Sequence, residues 1–185
     1  MSEANDILKR LDEHKPPGLS EVALVMQRMI IEDYIKNYAI GGAVAVAYYS
    51  EPLFTEDVDV FCYYSDALAN NISPIRTRLE ELGVVCRGMN YYIKGIKVQM
   101  QSMAEATPLE KKAFETAGLF DIDNVSVRIF QLEYAIAVKV QANRKKDWNH
   151  IFIAMDSADV NTDKLMSILR EFGLLEAWRK NYEPR

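Results

Sequence analysis

Apolar residues recur at helical spacing from Val22 through Val25, Met26, Met29, Ile30 and Ile35, and Ser20 stands where it can cap the long helix they predict. Tyr38 to Ile40 reads as a short strand running into Gly41-Gly42, and the small apolar run from Ala43 to Tyr49 reads as a buried helix. Val58, Val60 and Cys62 then alternate with Asp57, Asp59 and Phe61, a strand pattern that puts both aspartates on one face. Ser73-Pro74 opens a further helix and Gly83 closes it. Three short strands follow, Val84–Arg87, Tyr91–Lys94 and Lys97–Gln101. Thr107-Pro108-Leu109-Glu110 is a capping box with proline at the first helical position, and Gly118 is expected to end that helix. Residues 125–130 alternate as a strand. From Leu132 the pattern is helical to the end, with Asn161 as a cap and Gly173 as a break.

This order predicts an α+β fold: a mixed sheet with flanking helices, followed by a C-terminal helical segment. We divide the chain into an N-terminal extension (1–18), an α/β core (19–130) and a helical segment packed on that core (131–185). The extension is charged, with a short helix expected over 5–13 and a stiff turn at Lys15-Pro16-Pro17-Gly18. No internal repeat is visible.

Composition narrows the function classes. With 185 residues, 49% hydrophobic and 26% charged, the chain can bury a real core. A formal net charge of -5 argues against broad electrostatic binding of nucleic acid. The two cysteines, Cys62 and Cys86, are far apart and the only histidines are His14 and His150, so a structural zinc site is not expected. No apolar run approaches the roughly 20 residues needed to cross a bilayer, and the first residues lack a signal-peptide pattern. A soluble, cytoplasmic protein is expected.

The candidate chemistry centres on Asp57 and Asp59. Two carboxylates about 7 Å apart along one strand face can converge on a hard cation such as Mg²⁺. Gly41-Gly42 at a strand-to-helix junction lets backbone approach phosphate, and the helix N-terminus adds free N–H groups. Taken singly, Asp-x-Asp is a common chance pattern and Gly-Gly before a helix an ordinary tight turn. Their order and spacing carry the weight.

The run YAIGGAVAVAYYSEPLFTEDVDVF over 38–61 resembles the first motif of the DNA polymerase beta-like nucleotidyltransferase superfamily, and looks closest to its minimal, AbiEii-toxin-like branch. Gly41, Gly42, Thr55, Asp57 and Asp59 match in order. A second match lies in LEYAIAVKVQANRKKDWNHI over 132–151, where Lys139, Ala142, Arg144, Lys146 and Asp147 fit the branch's helical motif. Lys139, Asn143 and Lys146 are expected on one helix face by their spacing, a cationic face opposite the carboxylates. By itself such a cluster also reads as a solvated basic helix end.

The resemblance implies a nucleotidyltransferase-like core that transfers a nucleoside monophosphate from a triphosphate to a hydroxyl. The acceptor is open: a tRNA end, a protein or a small molecule. Asp57 and Asp59 would hold Mg²⁺ and serve as the catalytic pair, while Gly41, Gly42, Thr55, Lys139 and Lys146 would bind nucleotide. A toxin–antitoxin setting with an antitoxin partner is implied as well.

Several positions depart from the family pattern. Active members usually carry a third carboxylate on a later strand, and Gln99 stands at that place, with Gln101 next on the same face. Glutamine is neither a base nor a strong Mg²⁺ ligand. Ala43 replaces a frequent Ser or Thr, and His150 stands where an acid often follows Asp147. The alternative reading is therefore a catalytically degenerate nucleotide-binding or partner protein of the same fold. His150 is expected as a partly buried, hydrogen-bonded residue and Asp121-x-Asp123 as a turn, while the paired tyrosines could stack a nucleobase, although tyrosine is also a common strand residue.

Overall fold

A computed structural model describes residues 18–51, 53, 55–68 and 71–182. The expected helix over 5–13 and the Lys15-Pro16-Pro17 segment lie outside the described residues.

The first helix, α1 (Leu19–Ile31), buries Leu19, Val22, Ala23, Met26 and Met29 along one face and leaves Leu24 and Ile31 to solvent. It corrects the sequence reading at both ends. Its N-cap is Gly18, and the Ser20 hydroxyl donates instead to Glu21 and, at 3.0 Å, to Asp123 across the chain. It also stops well before Ile35. Asp33 takes a φ of 58°, and the chain turns into strand β1 (Ile35–Ile40), where Ile35 is fully buried.

Gly41 joins β1 to helix α2 (Gly42–Tyr49), and the chain returns through strand β2 (Val58–Tyr64). Next come helix α3 (Ser73–Glu81), strands β3 (Val85–Arg87), β4 (Asn90–Ile93) and β5 (Ile96–Ser102), and helix α4 (Pro108–Glu115). The capping box at α4 forms as expected, Thr107 accepting from the Glu110 N–H at 3.2 Å and Glu110 from the Thr107 N–H at 2.8 Å. Gly118, however, does not end α4. It opens an additional strand, β6 (Gly118–Ile122), which forms a hairpin with β7 (Val125–Ile129). Asp123 and Asn124 both take positive φ in its turn, and the Asn124 N–H donates to the Asp121 carboxylate at 3.1 Å.

The seven strands form one mixed sheet in the order β3-β4-β5-β2-β1-β7-β6. β1 runs antiparallel to β2 and parallel to β7, and β2 runs parallel to β5. In β1 the consecutive residues Tyr38, Ala39 and Ile40 are all buried, as are Val60, Phe61 and Cys62 in β2. The central strands are therefore covered on both faces.

Four helices complete the described chain: α5 (Leu132–Ala142), α6 (Lys145–Ser157), α7 (Thr162–Glu171) and α8 (Leu175–Asn181). α5 is buried nearly all round, from Leu132 through Val140. Trp178 of α8 closes this layer, stacking on Tyr182 at 4.3 Å and facing Trp148 of α6 at 6.3 Å. Asn161 caps α7, accepting from the Lys164 N–H at 3.0 Å. No helix among the described residues is long and apolar enough to cross a membrane.

Candidate functional site

Sheet register brings the sequence motifs to one place. The C-terminal end of β1 meets the N-terminal half of β2, with Ile40 opposite Val60 and the Gly41 N–H donating to the Asp59 carbonyl at 2.9 Å. Gly41 is packed so closely that a Cβ there would lie 2.6 Å from the Phe61 ring. It sits beneath the site, its amide already used by the sheet.

Gly42 carries the sharper constraint. Its φ is 64°, and a Cβ there would fall 1.9 Å from Oδ2 of Asp59. The Asp59 carboxylate thus lies directly over the Gly42 backbone at the start of α2, a contact open only to glycine. Thr55 shapes the approach to β2, its hydroxyl donating to the Asp57 carbonyl at 3.0 Å.

On the other side of β2, the parallel register sets Asp59 opposite Gln99 of β5. Gln99 Nε2 donates to Oδ2 of Asp57 at 2.6 Å, and Lys97 Nζ lies 3.5 Å from the same oxygen. Gln101 Nε2 reaches Oδ1 of Asp59 at 3.4 Å. Amide groups, not acids, therefore face the aspartates from β5 at Gln99 and Gln101.

The cationic side is built differently from the expectation. Lys139, Asn143 and Lys146 do not share a helix face. Asn143 takes a φ of 53° and ends α5, so Lys146 belongs to α6. No glycine or proline marks this break; asparagine tolerates the left-handed conformation, and its side chain accepts from Trp148 Nε1 at 2.8 Å. Lys139 is not a solvated helix end either. It is buried on α5, with Nζ 3.3 Å from Oδ1 of Asp147. Arg144 binds the same carboxylate through two nitrogens, at 2.6 and 3.2 Å.

Asp57, Asp59, Gln99, Gln101, Lys139, Arg144 and Asp147 line one cleft of about 980 Å³, together with Gly42, Thr55, Lys146, Thr107, Glu110, Gln141, Asn149 and His150. Ala43, Leu53, Phe61, Val138 and Ile153 give it an apolar part. The size suits a nucleotide-sized ligand. Gly41 is not among the lining residues.

Charge balance inside the cleft is uneven. Burial, together with the neighbouring Asp57 charge, pushes the Asp59 carboxyl above the ordinary carboxylate range, against the weaker pull of Gln101, Lys139 and Arg144. Burial pushes Asp147 up too, but its bonds to Arg144 and the nearby Lys139 charge outweigh it and leave the carboxyl below its ordinary value. Lys139 is lowered, by burial first, although Asp147 and Asp59 hold it up. His150 is lowered by burial and then by the Lys139 charge, and its Nδ1 is buried without a hydrogen-bond partner.

The residues fit a divalent cation in part. Among the described residues no group of three or more His, Cys, Asp or Glu side chains is placed so that it could hold a metal ion. Asp57 and Asp59 provide two carboxylates, and the raised Asp59 marks negative charge that the protein itself leaves uncompensated. A cation held by that pair would relieve it.

Other candidates lie elsewhere. Tyr48 and Tyr49 pack on Phe120, Tyr63 on Phe114, and Tyr91 and Tyr92 lie on β4; none lines the cleft. Cys62 and Cys86 are both free thiols. Lys97, Gln141 and Asn149 were not singled out from the sequence. Lys97 alone carried a signal, being two residues from Gln99 on the same strand face.

No family model and no curated relative matches the chain in sequence. Among solved structures, the chain is similar to an antigenic nucleotidyltransferase-like protein from Paracoccidioides brasiliensis, at 16% identity and a TM-score of 0.58, over 92% of this chain and 99% of that one. It is also similar to ANT(2'')-Ia in complex with adenylyl-2''-tobramycin, at 15% identity and a TM-score of 0.51, over 83% of this chain and 97% of that one. The solution structure of the antibiotic-resistance factor ANT(2'')-Ia matches at 12% identity and a TM-score of 0.51, over 88% and 96% of the two chains. The chain has a nucleotidyltransferase-like fold.

Proposed function

We propose that the cleft binds a nucleoside triphosphate with Mg²⁺ and transfers its nucleoside monophosphate to a hydroxyl acceptor. The observation that carries this reading is Asp59 seated against Gly42 at the start of α2, with Asp57 beside it in one cleft with Lys139 and Lys146. Asp57 and Asp59 would hold the cation, which when bound would supply positive charge to the reacting phosphate. Gly42 exposes backbone at the α2 N-terminus, where phosphate oxygens are favoured. Thr55 would border the triphosphate. Lys146, on the exposed rim, would neutralise phosphate charge, and Lys139 would hold a positive field on the carboxylate side of the cleft. In the reaction the acceptor oxygen forms a bond to the α-phosphorus, the bond from that phosphorus to the bridging oxygen breaks, and pyrophosphate leaves. The hydroxyl proton passes to solvent.

In this reading residues 19–130 form the core, and 131–185 supply its cationic wall. The acceptor is a tRNA end, a protein or a small molecule; the adenylyl-2''-tobramycin in the ANT(2'')-Ia complex supports the last class. Placement in the toxin-like branch, with an antitoxin partner, rests on the two sequence motifs. A second reading is binding without turnover, favoured by the Gln99 amide standing where an acid would help activate the acceptor.

Labelled triphosphates offered with Mg²⁺ test the proposal, using wild type and Asp57→Asn/Asp59→Asn. The expected result is a rise in melting temperature with Mg²⁺ and nucleotide in wild type only, and label transfer abolished in the double variant. Binding without transfer to any acceptor offered, including the protein itself and tRNA, selects the second reading. No thermal shift at all would remove the basis of both.

A further inference from the structure

We propose that Lys97 and Gln99 occupy, as built-in N–H donors, the side of Asp57 that a second divalent cation would need, so that the site holds one such ion. This rests on the Mg²⁺–nucleotide reading above and specifies its metal count.

The register of β2 and β5 fixes which side chains meet. The two strands run parallel with Asp59 opposite Gln99, so one face of β5 confronts the carboxylate face of β2. That β5 face carries Lys97, Gln99 and Gln101 in alternation. All three present nitrogen to the aspartates: Lys97 at 3.5 Å and Gln99 at 2.6 Å to Oδ2 of Asp57, and Gln101 at 3.4 Å to Oδ1 of Asp59. A row of donors thus faces a row of acceptors.

The orientation of Gln99 follows from chemistry. Turned the other way, its amide oxygen would confront a carboxylate oxygen at 2.6 Å, two acceptors with no proton between them. With the N–H inward, Oδ2 of Asp57 is committed to the Gln99 amide, with the Lys97 ammonium beside it. Hard divalent ions take oxygen ligands, and an N–H group cannot ligate one. Lys97 adds positive charge near Asp57 yet offers no coordination position to an incoming hydroxyl. The Asp59 carboxylate, by contrast, has only the long contact to Gln101. The oxygens that stay open are those of Asp59 and Oδ1 of Asp57, which suit a single ion between them.

The consequence concerns nucleophile activation. Two-cation sites use one ion to lower the pKa of the attacking oxygen and the other to hold the leaving group. With that side of Asp57 taken by Lys97 and Gln99, an acceptor hydroxyl would receive no activation from a second ion.

Manganese counting on the full chain tests this. Free Mn²⁺ is measured by electron paramagnetic resonance during titration of protein saturated with the α,β-methylene analogues of the four nucleoside triphosphates. Wild type is expected to take up one Mn²⁺ per chain with nucleotide, and Lys97→Met/Gln99→Asp two. Gln99→Glu, which keeps side-chain size, is measured alongside in case the double variant does not fold, and is also expected to reach two. Two ions in wild type, or one in every folded variant, would overturn the inference while leaving the nucleotide site intact. No nucleotide-dependent Mn²⁺ in wild type would instead overturn the underlying proposal.

Discussion

Two carboxylate sites share one cleft and are balanced in opposite ways. Asp147 is fully buried, yet Lys139 and Arg144 surround it and its carboxyl lies below the ordinary range. Asp59 has one weak amide contact, a second carboxylate beside it, and a carboxyl raised above that range. Asp57 has Gln99 and Lys97 on one oxygen. The difference separates charge that the fold itself completes from charge that the fold leaves without a close cationic partner. Asp147 orders the α5–α6 junction, because it ties Lys139 on one helix to the first turn of the next. Asp59 is held in place by backbone geometry at Gly42 and destabilises the empty protein.

The comparison breaks most visibly at Asp147. Asp147→Ala would leave the Lys139 ammonium buried beside an incomplete site, and removal of one partner of a buried pair costs about 3–5 kcal/mol. Urea unfolding should show that loss, and Lys139→Met/Asp147→Leu should recover much of it. A loss under 1 kcal/mol would show that the pair is already well hydrated.

Gly42→Ala should follow in size. A non-glycine residue at positive φ costs about 1–2 kcal/mol, and the new methyl must also displace the Asp59 carboxylate. Destabilisation with loss of the Mg²⁺-dependent thermal shift is expected. A variant with unchanged melting temperature and metal response would show that Asp59 is not confined by this backbone.

The smallest and most telling effect is at Asp59. Asp59→Asn removes a buried, repelled charge and should raise stability by about 1 kcal/mol, while nucleotide-dependent metal binding disappears. The sign with pH runs oppositely at the two sites. The Asp147 contribution is present above the unfolded carboxylate pKa, about 3.9, and is lost only as pH falls through its lower folded value. Asp59, being raised, takes up its proton at higher pH, which relieves its cost and would expel a cation bound there. On acidification, metal binding should therefore fail before the fold does. Thermal melts and Mn²⁺ titration over the same buffers would show it, and coincident loss of both would contradict the division.

The sequence by itself determined much of the scaffold and the place of the carboxylates. The alternation through Val58, Val60 and Cys62 marks β2 because successive side chains of a strand point to opposite faces. The capping residues Thr107 and Asn161 marked helix starts, since their side chains satisfy amides that no helix can satisfy internally. Gln99 was identifiable as an amide where an acid was expected. Short apolar and polar signals at element ends were less legible. Ile35 fits a helical period as well as a strand, and β6 was hidden because Gly118 and the Asp121-Asp123 pair both resemble turn residues.

Only the tertiary structure decided how the charges are shared. A left-handed Asn143 splits what looks like one helix, and that split folds Asp147 back onto Lys139. The parallel register of β2 and β5 turns Lys97 and Gln99 toward Asp57, and the positive φ of Gly42 seats Asp59 against α2. Residue types and spacing set which groups can carry charge. Burial and distance, which depend on strands and helices far apart in the chain, set whether that charge is neutralised by the protein or left for a ligand.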